Sequence, residues 1–335
     1  MNKIKIWGES IPFNSGRSKK DYLAINSDIS PSSAMAAVFN PDNRRLDSAE
    51  NFDTAVWYNT IISGRVSDKF DDVPYLVPYV VKNSKICVLL CAGGAYIDVS
   101  TEEESAPVAR LLNRYGITAF TLNYRVSPYR FPAMLTDCRR AVRYLRAHSD
   151  EYGFAKDKIC LGGFSAGGHL AAYAANTCSE IVELPNYTPD ETDRESSCAN
   201  ALLLVYAKLI FTDAADLLIP MFGDGFLTGD RKKYIEKYTV TNHMTSNSPP
   251  AFLVSSIDDS VVSQENQIAY ASKCHELKIP FEMHSFLEGG HGYGSARDRE
   301  YSRWAPPGDY KGTECWTDLF AIWLKKVFYC PGERD

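Results

Sequence analysis

The sequence lacks any apolar run approaching the roughly 20 residues that a membrane-spanning helix needs. Its opening, Met-Asn-Lys-Ile-Lys-Ile-Trp, carries charges with no apolar stretch behind them, so no secretion signal is expected there. No C-x-x-C pair occurs. The nine cysteines are odd in number and scattered, and Cys87 and Cys91 fall inside an apolar run, which suits buried, reduced thiols in a cytoplasmic protein. Basic excess is also missing: 36 Lys and Arg stand against 42 Asp and Glu, a net charge of −6, which argues against nucleic acid as a partner. The one basic run, Arg139, Arg140, Arg143 and Arg146, has helical spacing and reads as a solvated helix face. There is no H-E-x-x-H and no clustered Cys/His ligand set, so no metal is expected. Internal repeats and low-complexity segments are absent.

What is present is an ordinary globular composition, 45% hydrophobic and 23% charged over 335 residues, with ample material for a core. From about residue 85 onward, short apolar runs alternate with helical patterns. The runs 86–92, 117–122, 158–161, 201–207, 251–256 and 281–286 are mostly rich in β-branched, leucine or aromatic residues, and apolarity without alternation is what strands buried on both faces show. Between them, Thr101-x-x-Glu104 reads as a capping box opening a helix that stops at Gly116. Amphipathic patterns cover 133–147, 264–277 and 316–328. Repeated β-α-β order predicts an α/β fold with a mostly parallel, doubly wound sheet. Residues 1–72 are polar and turn-rich and are expected to form an extension packed on the core, with 73–80 a candidate edge strand. The main domain then spans 73–335, with a cap-like insertion at about 208–248.

Chemistry concentrates at Gly163-Phe164-Ser165-Ala166-Gly167, a G-x-S-x-G elbow where a strand pattern ends and a small-residue helix begins. A serine aimed out of such a turn sits at a strained backbone angle, and glycines two residues either side let the chain close around it. A nucleophilic serine needs a base and a group that orients the base. Of six histidines, His148 and His275 lie on helix surfaces, His284 in a strand, His243 in the insertion, and His169 one turn down the elbow's own helix. His291 stands apart in the glycine-rich loop Glu288-Gly-Gly-His-Gly-Tyr-Gly294, just beyond the last strand. The acid is expected at the end of the preceding strand, where Asp258 and Asp259 are both available. With Asp259 preferred, the chain order is Ser165, Asp259, His291, that of the α/β-hydrolases. Oxyanion donors are expected from the glycine loop after residues 86–90, through the amides of Gly94 and Ala95, together with that of Ala166.

These residues together resemble the acetyl-esterase/lipase branch of the α/β-hydrolases, and within it the bacterial acetylxylan esterases and feruloyl-esterase-like proteins. The likeness lies in Ala92-Gly-Gly-Ala-Tyr96, Asn123-Tyr-Arg-Val-Ser-Pro128, Phe131-Pro-Ala with Asp137, Gly163-Phe-Ser-Ala-Gly-Gly-His-Leu170 and Gly290-His-Gly292. It covers roughly residues 73–180 and 249–294. Ala92 and Ala95 replace the usual first and last positions of the family's oxyanion loop, and Asp259-Ser-Val-Val stands where the family has Asp-x-x-Val-Pro, which favours Asp259 as the acid. The resemblance implies a serine carboxylesterase without cofactor, acting on acetylated plant carbohydrate or similar small esters. It also implies that Arg125 and Asp137 brace loops rather than react.

For the substrate side, Tyr96, Tyr293, Tyr301 and Trp304 are candidates to wall a pocket, with Phe211, Phe222 and Phe226 contributed by the insertion. Alternatives to the acetyl esterase are a feruloyl or other aryl esterase and, further off, an amide hydrolase with the same triad. A dead binding module on this fold would be expected to have lost the serine or the histidine, and this chain keeps both.

Overall fold

The computed structural model describes residues 2–14, 72–127, 129–211, 218–222, 226, 229–297 and 312–329. Most of the expected N-terminal extension, and both Tyr301 and Trp304, lie outside the described residues.

The strands are β1 (Ile4–Lys5), β2 (Tyr75–Tyr79), β3 (Cys87–Cys91), β4 (Thr118–Asn123), β5 (Ile159–Phe164), β6 (Ala201–Val205), β7 (Ala251–Ser256) and β8 (Phe281–Phe286). β3 to β7 are buried at every residue, whereas β8 is half-exposed. Among the described residues they form one sheet in the order β1-β2-β4-β3-β5-β6-β7-β8. The pairs β1–β2 and β2–β4 are antiparallel, and the rest are parallel. The run expected at the edge, β2, is therefore second from it. β1 pairs only with Tyr75 and Leu76, which leaves Pro78, lacking an N–H, beyond the doubly paired part.

Helices α1 (Ala106–Arg114), α2 (Ala133–Ala147), α3 (Ser165–Asn176), α4 (Arg231–Tyr238), α5 (Glu265–Leu277) and α6 (Trp316–Phe328) complete the main elements. α2, α3 and α5 share one core with one face of the sheet, through Met134, Leu170 and Tyr270 among others. α1 and α6 share a second core with the opposite face, through Val108, Trp316 and Phe320. Burying side chains of this size contributes about 2–3 kcal/mol each. None of the described helices is long and apolar enough to cross a membrane.

Three expectations change. Thr101–Ser105 is a five-residue π-helical turn leading into α1, and it has no side-chain cap bond. Glu104 points inward instead of capping and is buried. The basic run on α2 is not a solvated face: Arg139, Arg140 and Arg146 are all buried. Arg139 donates to the carbonyls of Thr177 and Glu180. Arg140 donates to Ile6 O and to Asp190, at 2.7 and 2.5 Å. Arg146 donates to Lys156 O, Ser196 O and Cys198 O. Guanidinium groups carry five donors each, and here they satisfy carbonyls of the 177–200 loop that has no strand of its own. Lastly, the cysteines are not all free thiols: Cys178 and Cys198 close that loop with a disulfide, while Cys87, Cys91, Cys138, Cys160 and Cys274 are buried and unbonded.

Arg125 and Asp137 form a bidentate ion pair with both side chains at 0% exposure. Arg125 Nε and Nη2 donate to the two carboxylate oxygens at 2.8 and 2.7 Å, and Nη1 donates to Pro12 O at 2.7 Å. Trp7 Nε1 donates to Asp137 at 2.8 Å, so the pair also anchors the N-terminal segment.

Removing one member of such a pair strands a buried charge. Arg125→Met is expected to lower unfolding stability by about 3–5 kcal/mol in urea denaturation, and a loss below about 1 kcal/mol would contradict the network. Peptide mapping without reductant is expected to recover a Cys178–Cys198 linked peptide. Reducing that bond is expected to cost about 3 kcal/mol for a loop of this size, and an unlinked pair in the purified oxidised protein would refute the pairing.

Candidate active site

β5 ends at Phe164 and α3 begins at Ser165, so the serine occupies the turn itself, at a left-handed φ of +50°. Sterics dictate the flanking glycines. A Cβ on Gly163 would come within 2.1 Å of Gly167 O, and a Cβ on Gly167 within 2.2 Å of the carbonyl oxygens of Cys91 and Ala92. The turn is thus pressed against the end of β3, where the loop 92–96 starts.

The loops after β7 and β8 deliver two further groups to the same end of the sheet. His291 Nε2 lies 2.9 Å from Ser165 Oγ, and His291 Nδ1 lies 2.8 Å from Asp259 Oδ2. Asp259 Oδ1 accepts the amides of Val261 and Val262, each at 2.8 Å, which fixes the carboxylate. An ionised carboxylate only accepts, so Nδ1 carries the imidazole proton and Nε2 is left as the base facing the serine hydroxyl. All three side chains are buried: Ser165 6%, His291 7% and Asp259 8% exposed.

Asp258, the other acid weighed from the sequence, has a different place. Its carboxylate accepts the amides of Gly290 at 2.8 Å and Gly289 at 3.3 Å, and so holds the loop that carries His291. Ser256 Oγ adds a bond to Gly290 O at 2.7 Å.

The loop that carries two of the expected oxyanion donors, Gly94 and Ala95, adjoins the serine. The loop after β3 runs beside Ser165, with a hypothetical Cβ on Gly93 only 3.0 Å from Ser165 Cβ. The amides of Gly94 and Ala95 have no acceptor among the described residues. The Ala166 amide lies in the first turn of α3, where helix amides lack internal partners and the helix dipole favours negative charge.

The substrate-side expectations fare differently. Tyr96 is fully buried, its hydroxyl 2.8 Å from His169 Nδ1, so it packs under the site rather than walling it. Positive φ at Gly94, Ala95 and Tyr96 coils the loop and turns this ring inward. His169 Nε2 donates to Tyr238 O, and burial holds its pKa down at about 4, so it is a neutral packing residue. Tyr293 is likewise buried, edge-on to Tyr206 at 4.6 Å. Phe222 sits half-buried in an aromatic cluster with Phe131, Tyr234 and Tyr238, at ring distances of 4.4–5.7 Å. Phe211 packs on His169 at 5.2 Å and Phe226 on Tyr234 at 5.7 Å.

Sequence reasoning missed Glu104 and Tyr206. Glu104 accepts the Gly93 amide and, at 3.1 Å, the Tyr206 hydroxyl. Burial pushes its carboxyl up to about 7, against the opposing pull of the Gly93 amide, His291 and Tyr206. The Glu102–Glu104 run gave no signal of this, because an acid at that spacing also reads as a cap. Among the described residues, no group of three or more His, Cys, Asp or Glu side chains is placed to share a metal ion.

A buried serine hydrogen-bonded to an imidazole, next to a loop whose amides lack acceptors, can carry out acyl transfer. Several known proteins are similar to this chain. Endo-1,4-beta-xylanase B of Butyrivibrio fibrisolvens is 26% identical over 75% of this chain and 39% of its own length. An acetyl esterase of Salmonella paratyphi A is 28% identical over 58% of this chain and 63% of its own. The chain therefore spans less than two thirds of the length of these curated relatives. The crystal structure of an acetyl ester-xyloside bifunctional hydrolase from Caldicellulosiruptor lactoaceticus superposes with a TM-score of 0.68 at 28% identity, covering 97% of this chain and 96% of that one. The sheet and its flanking helices are thus those of an α/β-hydrolase. The BD-FAE family profile matches residues 75–273, from β2 through most of α5, and the chain belongs to the BD-FAE family.

Proposed function

We propose that this protein is a serine carboxylesterase that removes short acyl groups, acetyl foremost, from xylan-type or other carbohydrate fragments. The observation that carries the reading is the chain of hydrogen bonds from Asp259 through His291 to Ser165, which adjoins the loop carrying the acceptor-free amides of Gly94 and Ala95. His291 Nε2 takes the proton as Ser165 Oγ attacks the ester carbonyl. Asp259 holds the Nδ1–H tautomer and stabilises the imidazolium that forms. The tetrahedral oxyanion is met by the amides of Gly94, Ala95 and Ala166. His291 then protonates the leaving alcohol, and water repeats the cycle on the acyl-enzyme. No step needs a cofactor.

The names of two relatives, a xylanase and an acetyl ester-xyloside hydrolase, support a carbohydrate ester as substrate. A second reading, an aryl-acyl ester such as a ferulate, is favoured by the aromatic cluster around Phe222 in the insertion. The Cys178–Cys198 bond suits an oxidising compartment, so the cytoplasmic location expected from scattered thiols loses that support.

Ser165→Ala and His291→Ala are each expected to lower kcat by at least about 10⁴-fold, and Asp259→Asn by about 10³–10⁴-fold, with folding intact. Asp258→Asn keeps an acceptor for the Gly290 amide and is expected to stay within about tenfold of wild type. Full activity in Asp259→Asn together with loss in Asp258→Asn would reassign the acid. Substrate class is decided by assaying acetylated xylo-oligosaccharide and methyl ferulate side by side, with Ser165→Ala as blank. Acetate release alone is the expected result, ferulate release would favour the aryl reading, and turnover of neither would overturn the esterase assignment for both classes.

A further inference from the structure

Glu104 is a buried carboxyl that the acyl-transfer scheme leaves unused, yet it lies between the two loops that scheme depends on. On one side its carboxylate accepts the amide of Gly93, the residue immediately before the Gly94 and Ala95 donors. On the other it accepts the hydroxyl of Tyr206, at the end of β6, at 3.1 Å. Tyr206 in turn accepts the amide of Gly294 at 3.0 Å, three residues after His291, and its ring lies 4.9 Å from the imidazole. The backbone reinforces both ties. Ser100 N donates to Gly93 O at 3.0 Å, and Gly294 approaches so closely that a Cβ there would fall 2.3 Å from Glu103 O. Trp316 Nε1 fastens Gly294 O from α6 at 3.1 Å.

We propose that Glu104 is a positioning residue that ties the oxyanion-donating loop to the histidine loop, clamping Gly93 directly and Gly294 through Tyr206. The proposal rests on the esterase reading of the same site. Gly93 has no other amide acceptor among the described residues, and an amide that turned away from Glu104 would carry the neighbouring Gly94 and Ala95 amides with it. Donor placement matters steeply: a displacement of about 1 Å can cost about 100-fold in rate. The tie explains why Glu104 faces the interior and not the helix terminus. There it would have supported α1 by a capping bond, a smaller and purely local effect.

Three variants test this. Glu104→Gln keeps the volume, an acceptor toward Gly93 and a polar contact to Tyr206, whereas Glu104→Ala removes both ties and Tyr206→Phe removes only the distal one. With p-nitrophenyl acetate as substrate, Glu104→Ala is expected to lose about 100-fold in kcat with KM within about threefold. Glu104→Gln should stay within about tenfold of wild type, and Tyr206→Phe should fall between the two. A Gln variant as impaired as Ala would mean that the group acts through its charge, and would overturn the tie. So would an Ala variant whose loss lies wholly in KM.

Hydrogen exchange measured on the same proteins needs no turnover. Glu104→Ala should accelerate exchange in peptides covering 93–96 and 290–294 together, while leaving peptides of α2 unchanged. Acceleration of the first loop alone, or of the whole molecule, overturns the coupling. If wild type shows no Ser165-dependent turnover, the esterase reading fails by itself, and the exchange result still decides the tie.

Discussion

The contact on which the rest of the site depends is between backbone and backbone. The first turn of α3 lies so close to the carbonyls that end β3 that Gly167 has no room for a single methyl group. That proximity forces the abrupt reversal at Ser165 and its left-handed φ. It also sets the serine next to the loop that leaves β3, so the proposed nucleophile and the proposed amide donors come from adjacent parallel strands held in register, Cys91 opposite Gly163. A sheet that could slip there would lose both at once. The strain is borne by a turn packed on all sides, since every residue of α3 from Ser165 to Ala175 is buried.

Adjacent acids then divide two tasks that one carboxylate could not perform. Asp259 presents one oxygen to the imidazole and spends the other on two amides of its own loop. Asp258 fastens the backbone of the histidine loop. The base is thus held at its ring by one residue and at its main chain by the next. A third carboxyl, Glu104, lies beneath the donor loop, where burial disfavours its charge.

Much of this was legible in the residues. Continuous apolar runs gave the inner parallel strands, β3 to β7, because a strand buried on both faces needs no polar alternation, and the G-x-S-x-G spacing located Ser165. His291 could be singled out because only it sat in a glycine loop past the last strand. The pair Asp258 and Asp259 could be located but their jobs could not be separated by spacing alone, since neighbouring residues differ only in the direction of their side chains. What spacing could not convey was the direction of long polar groups. Arginines at helical intervals on α2 look the same whether they meet water or the carbonyls of a distant loop. Glu104 fits a cap as well as it fits a buried tie. Cysteines twenty residues apart give no hint of pairing until the loop between them is folded back. Tyr96 follows the donor loop in sequence, yet three successive left-handed residues turn it into the core.

The arginines of α2 have one more consequence. Arg140 holds the carbonyl of Ile6 and the carboxylate of Asp190 at once, and Arg139 and Arg146 secure the remainder of the 177–200 segment. Two stretches far apart in sequence, the N-terminal strand and this long connection, hang from one helix face and share one bridging side chain. Departure of either leaves part of the Arg140 guanidinium without an acceptor. They behave as one cooperative shell around α2, so proteolytic nicking of the N-terminal strand and of the 177–200 connection should follow a common opening event.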